Sequence, residues 1–108
     1  MGEFSIAYSV PGQHLCYQDH FPARPVVPGA LLLEWICQYL MQQVPDRRVT
    51  GIPFFKFLHP VFPEDLLQLH FHVSDDVASA RVACLRMDNV SGETELVAKG
   101  KLSLGVKT

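Results

Sequence analysis

The apolar positions of this chain change period along its length, and each period predicts an element. Between Gly29 and Gln43, Leu31, Leu32, Leu33, Trp35, Ile36, Cys37, Tyr39, Leu40 and Met41 leave almost no polar stripe. A helix opened by Pro28-Gly29 and ended by Val44-Pro45-Asp46 is predicted there. Such a helix is ill suited to a surface and well suited to being wrapped by a sheet or clamped between subunits. Glu34 and Gln38 lie one turn apart and therefore share a face. From Leu67 to Ser74 the period is two: Leu67, Leu69, Phe71 and Val73 face one way and Gln68, His70, His72 and Ser74 the other. Further strands are predicted over Phe4 to Val10, Val49 to Phe57, Val77 to Met87 and Thr94 to Leu104, the last two joined as a hairpin through Asp88 to Glu93. Pro53 inside the second of these implies a bulge or a sheet edge.

One long apolar helix followed by antiparallel strands gives an α+β domain, residues 1–108, in which a curved antiparallel sheet wraps the helix. The sheet would have an exposed edge that pairing with a second copy covers, so a homodimer is expected. From Gln13 to Pro28 the chain carries His14, Tyr17, His20 and Phe21 interspersed with Pro22, Pro25 and Pro28, a composition that forbids a long regular element and predicts a rigid, partly buried loop.

Composition narrows the functional classes. The formal net charge of -2, with no dense basic cluster, gives no general attraction to nucleic acid or to an anionic membrane. No apolar run approaches the length of a membrane span and no signal peptide is evident, which predicts a cytosolic chain. Cys16, Cys37 and Cys84 form no CxxC pair and are expected to be reduced. Cys37 has no histidine at a telling spacing, which argues against a thiol nucleophile. His70 and His72 could suit a metal by their spacing alone, but no nearby Cys, Asp or Glu completes a ligand pattern, so they are read as solvent-facing and no metal or cofactor is expected. The chemistry concentrates in the run from His20 to Gln38, where Glu34 is the lone carboxylate of an apolar helix and needs a reason to be there.

His20-Phe21-Pro22, Pro25, Pro28-Gly29, Leu31, Glu34 and Gln38 resemble the active-site signature of the hotdog-fold 3-hydroxyacyl-[acyl-carrier-protein] dehydratases of fatty-acid synthesis. A second block, Lys56-Phe57, Pro60-Val61, Pro63 and Asp65, resembles that family's segment leading into its next long strand. The resemblance implies an active site at a dimer interface, with His20 of one subunit facing Glu34 of the other. It implies that His20 takes the C2 proton of a 3-hydroxyacyl thioester while Glu34 helps the C3 hydroxyl leave as water. It also implies an acidic acyl carrier protein as partner.

The residue types suit that chemistry. Imidazole titrates near neutral pH, and a carboxyl buried among apolar side chains keeps its proton more readily. The N–H groups of Gly29 and Ala30 at the helix start are suitable donors to a developing enolate oxygen, and Gly29 lets substrate approach the backbone. Phe21 and Pro28 support the loop, and Gln38 would orient the carboxylate or close the site. The chain departs from the family pattern at Asp19, Ala23 and Glu64, where glycine is common, and at Leu58 and His59, where related enzymes often carry basic residues. A hotdog thioesterase, with Glu34 activating water, and a non-catalytic acyl-thioester binding subunit remain the alternatives.

Overall fold

The structure, a computed structural model, describes residues 2–14 and 26–107. Along the chain run β1 (Gly2–Ser9), α1 (Gly29–Gln43), β2 (Arg47–Phe57), β3 (Leu66–Val73), β4 (Ser79–Met87) and β5 (Thr94–Val106). The strands form one sheet in the order β1-β3-β4-β5-β2, every neighbouring pair antiparallel. One helix against a curved antiparallel sheet is the α+β architecture that the sequence predicts.

The periods explain why each element forms. In β3, Leu67, Leu69, Phe71 and Val73 are each at most 2% exposed, and β1 alternates strictly along its length, with Phe4 stacked on Phe71 at a ring-centroid distance of 4.9 Å. Helix α1 occupies the predicted residues and presents Leu31, Leu32, Ile36 and Leu40 to the sheet. Ile36 and Leu40 are fully buried, and each such side chain contributes about 1.5–3 kcal/mol of hydrophobic stabilisation. Gly100 belongs to the inner face of β5, where a Cβ would land in the Phe55 ring and 2.7 Å from the Phe54 carbonyl oxygen.

Strand bounds shift where local hydrogen bonding decides them. Strand β4 begins at Ser79 rather than Val77, because Val77 has φ 55° in a turn where the Ser74 hydroxyl donates to Asp76 Oδ1 at 2.7 Å and accepts from the Ser79 N–H at 3.1 Å. Strand β2 is both bulged and at the edge: its register against β5 shifts between Val49 and Gly51 and again between Gly51 and Phe54, the second interval holding Pro53. Ile52 and Phe54 along that edge are 46% and 39% exposed.

The connection from β2 to β3 is held by Arg86, a residue that no sequence motif singled out. Its Nη1 donates to the Pro60 carbonyl at 2.7 Å and to Asp65 Oδ2 at 3.0 Å, Nη2 pairs with Glu95, and the guanidinium lies 5.7 Å from the centre of the Phe62 ring. Asp65 Oδ2 also accepts from the Phe62 N–H at 2.8 Å. Next to it Glu64 has φ 71°, a conformation costly for a residue with a Cβ. Removing the guanidinium takes the charged donor from a largely buried Asp65, which keeps only the Phe62 N–H, and takes the Pro60 carbonyl's partner as well. Arg86→Ala is therefore expected to lower stability by about 2 kcal/mol in urea denaturation, and an unchanged midpoint would refute the clamp.

Candidate active site

The start of α1 forms one wall of the candidate site. Pro28 stands at the N-cap, its fixed φ compatible with helix entry, and no side chain caps the helix. The first helical donors to find acceptors are the N–H groups of Leu31 and Leu32, both at 3.1 Å from the Pro28 carbonyl oxygen. The N–H groups of Gly29 and Ala30 have no hydrogen-bond acceptor among the described residues. The segment entering the helix is fixed by Val27, whose N–H donates to the Val61 carbonyl at 2.8 Å.

Gly29 faces an aromatic wall. A Cβ on Gly29 would stand 3.1–3.3 Å from three carbons of the Phe57 ring, so this position has no room for a side chain unless Phe57 moves. Phe57 packs on Phe55, with centroids 5.1 Å apart, and Phe55 lies over Gly100. Between the helix start and the end of β2 lies a cavity of about 340 Å³ lined by Val27, Gly29, Leu32, Phe57, Leu58 and Val61, among others. Its lining is largely apolar, and the adjoining N–H groups of Gly29 and Ala30, without an acceptor among the described residues, supply polar donors.

Glu34 departs from expectation. The surrounding apolar residues of its helix were expected to bury it, yet within the chain Glu34 is exposed. The reason is helical geometry: Leu32 and Ile36 are two positions away on either side and face the sheet, so Glu34 points the opposite way. Ala30, Glu34, Gln38 and Gln42, spaced by four, are all exposed and make one stripe. The carboxylate thus sits about one turn from the unpaired donors at the helix start, on a face that the chain's own sheet does not cover. Trp35 belongs to packing rather than to this stripe, with Tyr8 at 5.3 Å and His14 at 6.1 Å between ring centroids.

His20 and Phe21 lie outside the described residues, as do Cys16, Tyr17, Asp19 and Ala23. The other thiols are free, and burial pushes both above the ordinary range, Cys84 up to about 12 and Cys37 in the same direction. Both therefore carry less thiolate at any pH than an exposed cysteine. His70 and His72 bond Ser5 at 2.7 Å and Glu3 at 3.3 Å, on the sheet face away from the helix. Phe55, Gly100 and Arg86 are the contributors that sequence reasoning missed. A glycine inside an otherwise strand-like run was the available signal for Gly100, whereas nothing local marks Arg86.

A curved sheet around one helix, with a helix-start donor pair beside an apolar cavity, defines a protein of the hotdog fold. The ApeI-like family, described as ApeI dehydratase, matches residues 1–101, and the chain belongs to that family. A 3-hydroxyacyl-[acyl-carrier-protein] dehydratase FabZ from Nitratidesulfovibrio vulgaris (strain DP4) is 36% identical over 80 residues, covering 64% of this chain and 52% of that protein. The chain spans about half the length of that curated relative. Among solved structures, the dehydratase heterocomplex ApeI:P from Xenorhabdus doucetiae is similar with a TM-score of 0.78 at 20% identity, covering 95% of this chain and 87% of that one. An acyl-CoA hydrolase mutant from Staphylococcus aureus is similar with a TM-score of 0.74 at 16% identity, covering 98% and 65%. At these identities the two structures speak for the fold alone.

The contact between Gly29 and Phe57 is directly testable. Gly29→Val should retain the far-ultraviolet spectrum of the fold, since overpacking at one site typically costs about 1–3 kcal/mol. If the cavity takes an acyl-pantetheine thioester, the substitution should weaken its binding at least tenfold by titration calorimetry. Unchanged affinity would show that the cavity beside the helix start is not where an acyl thioester sits.

Proposed function

We propose that this protein dehydrates a 3-hydroxyacyl thioester, borne on an acyl carrier protein, to the trans-2-enoyl thioester, and that it works as a cytosolic homodimer with sites at the subunit interface. The observation that carries this reading is the exposed stripe of α1, which has Glu34 about one turn from the unpaired N–H groups of Gly29 and Ala30, beside an apolar cavity. Membership of a dehydratase family supports it.

In this mechanism the thioester oxygen accepts hydrogen bonds from Gly29 and Ala30, and His20 takes the C2 proton. The electron pair of that C–H bond moves onto the thioester as enolate-like charge, which the helix start stabilises. Glu34 gives its proton to the C3 hydroxyl, the C3–O bond breaks, water leaves, and the C2=C3 double bond forms. Turnover is completed when the proton on His20 passes back to the carboxylate through solvent. Glu34 must hold a proton at the outset, which calls for the low-dielectric cover that a second subunit would add over its stripe. Gln38, one turn further on, orients the carboxylate, while Phe21 and Pro28 hold the loop and helix start in place.

The test is interconversion of 3-hydroxyacyl and enoyl thioesters in both directions, with free-thiol release followed in the same samples. His20→Ala and Glu34→Gln should each lower kcat by about 10²–10⁴-fold without thiol release. Thiol release would move the protein to the thioesterases, and silence across chain lengths and carriers would leave a binding subunit.

Assembly has its own test. Pairing of two β2 edges would cover Ile52, Phe54, Phe57 and Leu58, all at least 39% exposed in the single chain. Ile52→Lys should shift the protein to monomer by light scattering and abolish turnover together with the dimer. A fully active monomer would refute a shared site.

A further inference from the structure

The face of the sheet turned away from α1 carries an arrangement of charge that folding alone does not favour. On β4 and β5, Arg81 stands directly opposite Lys101, and on β5 and β2, Lys99 stands directly opposite Lys56. Burial alternation puts all four on the outer face: Ala80, Val82, Ala98, Gly100 and Leu102 between them are buried toward the helix. Like charges facing each other across neighbouring strands are destabilising. Among the described residues no carboxylate forms an ion pair with any of the four, since the nearest acidic residue along the Arg81 row, Glu3, is engaged by His72 at 3.3 Å. Four of the nine Lys and Arg residues of a chain with net charge -2 are thus gathered, unneutralised, on one surface.

The surface is also shaped. His70, His72, Arg81 and Lys99, with Glu3 and Ser5 at the β1 end, line a depression of about 450 Å³. The cations do not converge on a point, as a site for one phosphate would require. Strands about 4.8 Å apart put Arg81 and Lys56 about 10 Å apart across the sheet, comparable to the width of an α-helix with its side chains. At one end the patch adjoins the candidate active site, because Lys56 immediately precedes Phe57, whose ring contacts Gly29.

We propose that this outer sheet face, centred on Lys56, Arg81, Lys99 and Lys101, docks an acidic surface of the protein that carries the acyl thioester. The proposal rests on the dehydratase reading for the identity of the partner and takes the docking surface from charge alone. It places docking on the sheet, where Lys and Arg side chains gather, rather than at Leu58 and His59.

The experiment compares wild type with Lys99→Glu and Lys101→Glu on one acyl group presented two ways, on a holo acyl carrier protein and on N-acetylcysteamine, and measures binding to the apo carrier protein directly. The expected result is a KM at least tenfold higher for the carrier-borne substrate and a correspondingly weaker Kd for the apo carrier. Kinetics on N-acetylcysteamine should be unchanged, and added salt should raise the wild-type carrier-borne KM. Lys99→Glu converts a like-charge pair into an opposite one, so its Tm should equal or exceed that of wild type, which separates lost docking from lost folding. Equal Kd for wild type and variants would overturn the proposal, as would a change of oligomeric state in the variants, which would make the face a contact between copies. If wild type turns over neither substrate the dehydratase reading fails, and the Kd comparison still decides the docking surface.

Discussion

One helix has to cover one face of a five-stranded sheet, and most of the molecule follows from that constraint. Leu31, Leu32, Ile36 and Leu40 meet it by giving the sheet a single stripe of α1, buried in one cluster with the inward residues of β3, β4 and β5. A helix has two sides, so the same contact turns Ala30, Glu34 and Gln38 outward. The carboxylate, the N–H groups of Gly29 and Ala30 and the edge strand beside them are therefore left on surfaces that the described residues do not complete.

Much of this was legible in the residues. The helix runs between its predicted ends because Pro28-Gly29 and Val44-Pro45-Asp46 are strong boundary signals. The inward set of β3 was readable because a strict period of two survives in Leu67, Leu69, Phe71 and Val73. What was not legible depended on partners distant in sequence or on local turn chemistry. Val77 reads as strand by composition, but the Ser74 and Asp76 side chains bend it into a turn. Arg86 gains its role only when Pro60 and Asp65 of the β2–β3 connection and Glu95 of β5 are brought to it from two other parts of the chain. Composition marked Glu34 as sitting among apolar neighbours without saying which side of the helix they cover, and a count of neighbours cannot distinguish the two sides. His20 belongs to the motif by resemblance and falls outside the described residues.

The connection between β2 and β3 shows how the fold supports a site without touching it. Arg86 pins Pro60 and Asp65, and Val61, within the same connection, accepts the hydrogen bond from Val27 that aims the chain into α1. The positive φ of Glu64 is tolerated in a segment held on both sides, by Val10 on one and by the Arg86 network on the other.

Phe57 touches the helix start through Gly29 and is at the same time nearly half exposed on the edge strand. A ring that belongs to both surfaces makes them thermodynamically linked: whatever occupies the space beside Gly29 biases how the edge is presented, and whatever covers the edge biases that space by an equal amount. On the proposed reading, in which an acyl group fills that space and a second copy covers the edge, ligand occupancy and subunit association are two readings of one equilibrium, and apparent affinity for the acyl group rises with protein concentration.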